Sequence, residues 1–195
     1  MAFYCVRAIS KLFTIESTEI TNWGKWFEYN ECPLGSFVYG FQLKVETTMN
    51  DISDDTGLNG IFLLCSTPAA RRFTYEFFGP YAPTPPSNAI SSRVGNFGEY
   101  RNVWQCAGGS FAIGLELRSQ EPQGIFWDDT AANNLRIHCN RGKILEGDGE
   151  ELGEWSGAAL CPHGYIICGI QTQIEFAAFD QTALNNVRMG CCEPF

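Results

Sequence analysis

Carboxylates are the side chains here with the most obvious chemical use. Glycosidic bonds are cleaved or transferred between two carboxyl groups about 5–9.5 Å apart. Glu46 with Asp54, and Glu175 with Asp180, are near enough in the chain to form such pairs. Asp54-Asp55 and Asp128-Asp129 each precede a Thr and an Asn, which makes them candidate ligand-holding groups. The same residue types bond back to nearby backbone and tolerate tight turns, and their triplication favours that structural role. Trp23 and Trp26 are candidate stacking platforms for sugar rings. Together with Phe97, Tyr100 and Trp155 they also suit a second role, an aromatic plug filling the interior.

Other chemistries lack their signatures. Neither His138 nor His163 has a nucleophile-elbow sequence nearby, so a Ser/His/Asp triad is not indicated. The nine cysteines form no CxxC spacing, and two histidines are too few for the usual zinc sets, so neither metal nor cofactor is expected. Gly147-Asp148-Gly149 lacks the ligand spacing of a calcium loop and reads as an acidic turn. The formal charge of -9 provides no basic footprint for nucleic acid. No apolar run is long enough for a membrane-spanning helix.

The elements that position these residues are legible through an internal repeat. Asp54-Asp55-Thr56-Gly57-Leu58-Asn59-Gly60 aligns with Asp128-Asp129-Thr130-Ala131-Ala132-Asn133-Asn134 and with Asp180-Gln181-Thr182-Ala183-Leu184-Asn185-Asn186. Each is followed by an alternating run that ends in Cys65, Cys139 or Cys191. Upstream, Trp23-Gly24-Lys25-Trp26 matches Phe97-Gly98-Glu99-Tyr100 and Leu152-Gly153-Glu154-Trp155. Equal spacings then lead to Cys32, Cys106 and Cys161, and on to Gly40, Gly114 and Gly169.

Period-two runs bounded by turn residues read as short strands, about four in each unit. Three such sheets can close around an axis, each burying one face against the other two and leaving few free edges. The expectation is one all-β domain over 1–195, with repeat units near 6–65, 97–139 and 152–192. A proline-rich stretch over 79–88 forms a surface loop.

Cysteine spacing follows the repeat. It predicts Cys32–Cys65, Cys106–Cys139 and Cys161–Cys191, each worth roughly 3–4 kcal/mol on a chain-entropy model, with Cys168 and Cys192 as a fourth pair. Cys191 and Cys192 face opposite sides of one strand, so which of them takes which partner stays open, and Cys5 is left over. This usage implies an oxidising compartment, although residues 1–12 contain no secretory apolar core. The expectation is a secreted protein whose signal peptide is not visible in this chain.

The threefold Asp-Asp-Thr signature, Trp-Gly-Lys-Trp and Gly147-Asp148-Gly149 resemble the vitelline membrane outer layer protein 1 family over nearly the whole chain. The resemblance implies a β-prism of three four-stranded antiparallel sheets with a pseudo-threefold axis. It also implies a secreted, disulfide-bonded protein of egg coats or other extracellular secretions, with a link to carbohydrate. Two positions depart from threefold equivalence. Gln181 replaces Asp55 and Asp129, and Gln120 replaces Glu46 and Glu175.

The functional expectation is a structural or carbohydrate-binding component of an extracellular coat. Its partners are glycans, N-acetylglucosamine-containing ones among them, and coat proteins, with no nucleic acid and no membrane insertion. The alternative is an enzyme transferring or cleaving N-acetylglucosamine oligomers through a carboxylate pair.

Overall fold

A computed structural model describes residues 12–47, 56–71, 83–122, 130–176 and 182–194. Asp54, Asp55, Asp128, Asp129, Asp180 and Cys5 lie outside the described residues, as do Trp127 and residues 79–82 of the proline-rich stretch. The first repeat contributes β1 (Phe13–Glu16), β2 (Lys25–Trp26), β3 (Asn30–Glu31), β4 (Phe37–Val45) and β5 (Leu58–Ser66). A short helix α1 (Pro68–Arg71) and β6 (Ala89–Ile90) follow. The second contributes β7 (Glu99–Gln105), β8 (Ala112–Ser119), β9 (Ala132–Cys139) and β10 (Ile144–Glu146). The third contributes β11 (Glu154–Trp155), β12 (Ala159–Leu160), β13 (Ile166–Glu175) and β14 (Ala183–Cys192).

Three antiparallel sheets result, ordered β6-β5-β4-β7, β10-β9-β8-β11 and β1-β14-β13-β2. β12 also pairs with β8, and β3 with β13, so β11/β12 and β2/β3 each act as one interrupted strand. The chain is thus an all-β prism of four strand positions per sheet. Each repeat hands its aromatic-glycine strand to another repeat's sheet. β7 joins β4, β11 joins β8, and β2 of the first repeat joins β13 of the third. That last exchange closes the ring.

The repeated glycines Gly40, Gly114 and Gly169 sit at register shifts in β4, β8 and β13. The bulge resets the alternation, as an inserted residue must. Val38 therefore points inward and is followed inside by Phe41, Leu43 and Val45. A Cβ at Gly40 meets the Trp104 carbonyl, one at Gly114 meets Leu160, and one at Gly169 meets the Tyr29 hydroxyl. Each glycine is the notch through which the donated strand approaches.

The axis is filled by Phe41, Leu43, Ile61 and Leu63 of the first sheet, Leu115, Leu117, Leu135 and Ile137 of the second, and Ile170, Val187 and Met189 of the third. Burial of each such side chain contributes about 1.5–3 kcal/mol. Phe41 and aliphatic residues of the central strand pairs thus occupy the interior that the aromatic-plug reading assigned to Trp23, Trp26, Phe97, Tyr100 and Trp155. Trp23, Trp26, Tyr100 and Trp155 are half-buried, and Phe97 is exposed. Exchange of the aromatic strands carries these rings to the seams and outer faces.

Four disulfides join Cys32 to Cys65, Cys106 to Cys139, Cys161 to Cys191 and Cys168 to Cys192. In the first three, one cysteine follows the donated strand and the other lies on β5, β9 or β14 of the same repeat, so each bridge crosses a different seam between sheets. The fourth ties β13 to β14 within one sheet.

Candidate functional site

The triplicated turns build the same buried network three times. Thr56 donates its hydroxyl to Glu46 Oε2 at 2.5 Å, Thr130 to Gln120 Oε1 at 2.9 Å, and Thr182 to Glu175 Oε2 at 2.9 Å. Each threonine oxygen in turn accepts from an asparagine amide, of Asn59, Asn133 or Asn185, at 2.5–2.8 Å. Gln120 therefore preserves the acceptor that its repeat needs while removing the charge. All three threonines and all three asparagines are buried.

The asparagines also tie the repeat's two signature blocks together. Asn59 Oδ1 accepts from the Phe97 backbone N–H, and Asn185 Oδ1 from that of Trp23, both at 3.2 Å. The glycine that follows each aromatic position, Gly24 or Gly98, has positive φ and presses on the backbone of Ile174 or Val45. Gly153 repeats this against Ser119, while the buried Asn133 Oδ1 has no donor among the described residues. Asparagine, threonine and the aromatic-glycine strand are thus one device for seating a donated strand across a seam.

The indole rings of Trp26 and Trp155 make a separate set of contacts. The Arg188 guanidinium lies 3.8 Å from the Trp26 ring centre and bonds to Glu16 at 2.8 Å. Arg136 lies 4.0 Å from the Trp155 ring centre and bonds to Glu146 at 2.6 Å. Phe62 packs edge-on against Tyr100 at the corresponding place in the remaining sheet. One face of the Trp26 indole and one of the Trp155 indole are therefore covered by a guanidinium.

Beside the donated strands the seams open into pockets, and they differ. The pocket at β2 and β13 measures 620 Å³ and is lined by Lys25, Phe27, Arg93, Ile174, Glu175 and Phe176, with Gly24. Its rings meet edge to face at 5.8 Å. Lys25 Nζ lies 5.0 Å from the Phe27 centre, and the Arg93 guanidinium 5.3 Å from that of Phe176. The counterpart at β8 and β11 measures 290 Å³ and carries Gln120, Glu121, Glu154 and Trp155. Sequence reasoning missed Phe27, Arg93 and Phe176. The available signal was charge, since Lys25 stands where the other repeats have Glu99 and Glu154, and Arg93 where the third repeat has Asp148.

Asp148 accepts from the Asn102 backbone N–H, the Asn102 amide and Trp104 Nε1 at 2.7–3.2 Å, so the acidic turn is a strap onto β7. His138 Nε2 lies 2.6 Å from Glu116 Oε1 on the outer face of the second sheet. Among the described residues no three His, Cys, Asp or Glu side chains are placed to hold a metal ion.

Comparison with known proteins bears on the fold and the ancestry. Residues 13–194 match the family model described as Vitelline membrane outer layer protein I. The human vitelline membrane outer layer protein 1 homolog is 37% identical over 183 residues, covering 91% of this chain and 82% of its own. Among solved structures, a prostate-specific WGA16 glycoprotein lectin superposes with a TM-score of 0.55 at 13% identity, covering 92% of this chain and 99% of its own. A mannose-binding jacalin-related lectin from Ananas comosus gives 0.52 at 8% identity, with 94% and 99% covered. At those identities the likeness is one of fold, the β-prism.

Proposed function

The chain belongs to the vitelline membrane outer layer protein I family, and on that premise we propose that it is a secreted, carbohydrate-binding structural component of an extracellular coat or secretion. The observation that carries the binding role is the open seam at β2 and β13. There Phe27 and Phe176 present apolar ring surface beside polar and charged groups in a 620 Å³ pocket. Sugar sites combine such surface with a few placed polar groups, in cavities of about 300–1,000 Å³. Trp26 lies on the same strand and Trp23 just before it, and Asp54-Asp55 and Asp128-Asp129 are the further hydrogen-bonding groups we propose. Two of the β-prism proteins of like fold are lectins by name. Four disulfides suit an oxidising extracellular setting. N-acetylglucosamine-containing glycans and coat proteins are the partners we assign.

The geometry gives binding more support than turnover. Glu46 and Glu175, the described members of the proposed catalytic pairs, each direct a carboxylate oxygen to a buried threonine. A nuclear magnetic resonance titration with chito-oligosaccharides tests the binding reading. Saturable shifts that weaken in Trp23→Ala, Trp26→Ala or Phe27→Ala variants support it, and unchanged spectra count against it. Accumulation of new oligomers, abolished by Glu46→Gln, would instead establish the enzyme.

A further inference from the structure

Resting on the carbohydrate reading, we infer that the β2/β13 seam selects an anionic sugar, one bearing a carboxylate or a sulfate. The prism supplies its own comparison. At equivalent places the three repeats carry Lys25, Glu99 and Glu154, and the segments before the second and third aromatic blocks carry Arg93 and Asp148. Charge is reversed at both positions in one seam only, in a chain whose net charge is -9. Lys25 and Arg93 are exposed and neither is in a salt bridge with a described carboxylate, whereas Arg136 and Arg188 each pair with a glutamate.

The pocket between them has the parts that a charged pyranose requires. Lys25 and Arg93 lie on the Phe27 and Phe176 rings at 5.0–5.7 Å and leave their N–H groups for an anion. Charge-assisted hydrogen bonds of that type are the strong ones. The rings offer apolar surface to the sugar's carbon face, Phe176 being 38% exposed. Glu175, held by Thr182 through Oε2, has its second oxygen to accept a sugar hydroxyl. In the β8/β11 pocket Glu121 and Glu154 stand where this seam has Phe176 and Lys25, and would repel the same ligand.

The test titrates oxidised protein with a uronate-bearing oligosaccharide, a sulfated oligosaccharide and a neutral chito-oligosaccharide. At least one acidic ligand should bind roughly tenfold tighter than the neutral one, weakening with salt. Whichever acidic ligand binds identifies the anion. Lys25→Glu with Arg93→Asp, which installs the residues of the other repeats, should abolish that preference. The milder Lys25→Gln, Arg93→Gln pair should reduce it if the first variant fails to fold. Neutral binding without acidic preference, or acidic binding unchanged in both variants, overturns the inference and leaves the carbohydrate reading standing. Absence of binding to all three ligands overturns both.

Discussion

The Glu46 carboxylate accepts the Thr56 hydroxyl at 2.5 Å, and in the second repeat the uncharged Gln120 does the same for Thr130. The position thus requires an acceptor, and charge is incidental to the fold. Glu46→Gln and Gln120→Glu should each change stability by less than about 1 kcal/mol. Thr56→Ala, which removes the main partner of the buried Asn59 amide, should cost about 1–3 kcal/mol. Urea denaturation compares them, and a large loss in Glu46→Gln would show that the charge itself is needed.

Gly57 is the place where two of these networks touch. Its φ is +59, and an added Cβ would lie 2.6 Å from Asn133 Oδ1, the buried oxygen without a described donor. The equivalent Ala131 and Ala183 hold the same left-handed backbone with a methyl group present. Gly57→Ala should therefore destabilise by more than the roughly 1 kcal/mol of backbone strain alone. Equal stability of the variant in thermal unfolding would mean that the inter-repeat contact is loose.

Removing a seam disulfide should loosen the ring between two sheets. Cys106→Ser with Cys139→Ser should lose about 2–5 kcal/mol. Loss of the bridge within one sheet, Cys168→Ser with Cys192→Ser, should leave amide exchange across the seams unaltered. Hydrogen exchange distinguishes the two, and uniform loss of protection in both variants would contradict separate roles.

Alkaline stability should report on Tyr29, whose ring lies in the glycine notch formed by Gly169 and Gly190. Burial first, and the nearby Glu31 second, push its hydroxyl up from 10.0 to about 12. The folded state then holds the phenolic proton where the unfolded state releases it. This contribution is complete below pH 10 and is lost as pH rises toward 12. Denaturant midpoints of the wild type should fall across that window, and Tyr29→Phe should flatten the fall. An identical slope in both proteins would remove Tyr29 from the account.

The repeat, the four strand positions and the closed threefold set of sheets were legible because the spacings of Asp-Asp-Thr, cysteine and glycine recur in register, and the family resemblance carried by those motifs implied the β-prism. The donation of β2, β7 and β11 was not, since a periodic sequence shows its period and leaves open which sheet receives each strand. For that reason Trp26 and Trp155 could be placed inside the prism from sequence, whereas the structure sets them under Arg188 and Arg136 on outer faces. The aromatic seam was harder still. Arg93 reaches Phe27 and Phe176 from a connection between repeats, and no local pattern marks that meeting.

The central claim is carbohydrate binding by an intact, oxidised prism. An array of neutral and acidic glycans, probed with the purified oxidised protein, tests it most directly. The account predicts saturable binding to a defined subset, reduced in Phe27→Ala and abolished when the disulfides are reduced and the chain unfolds. Uniform background across the array, from protein shown to be folded, would contradict it.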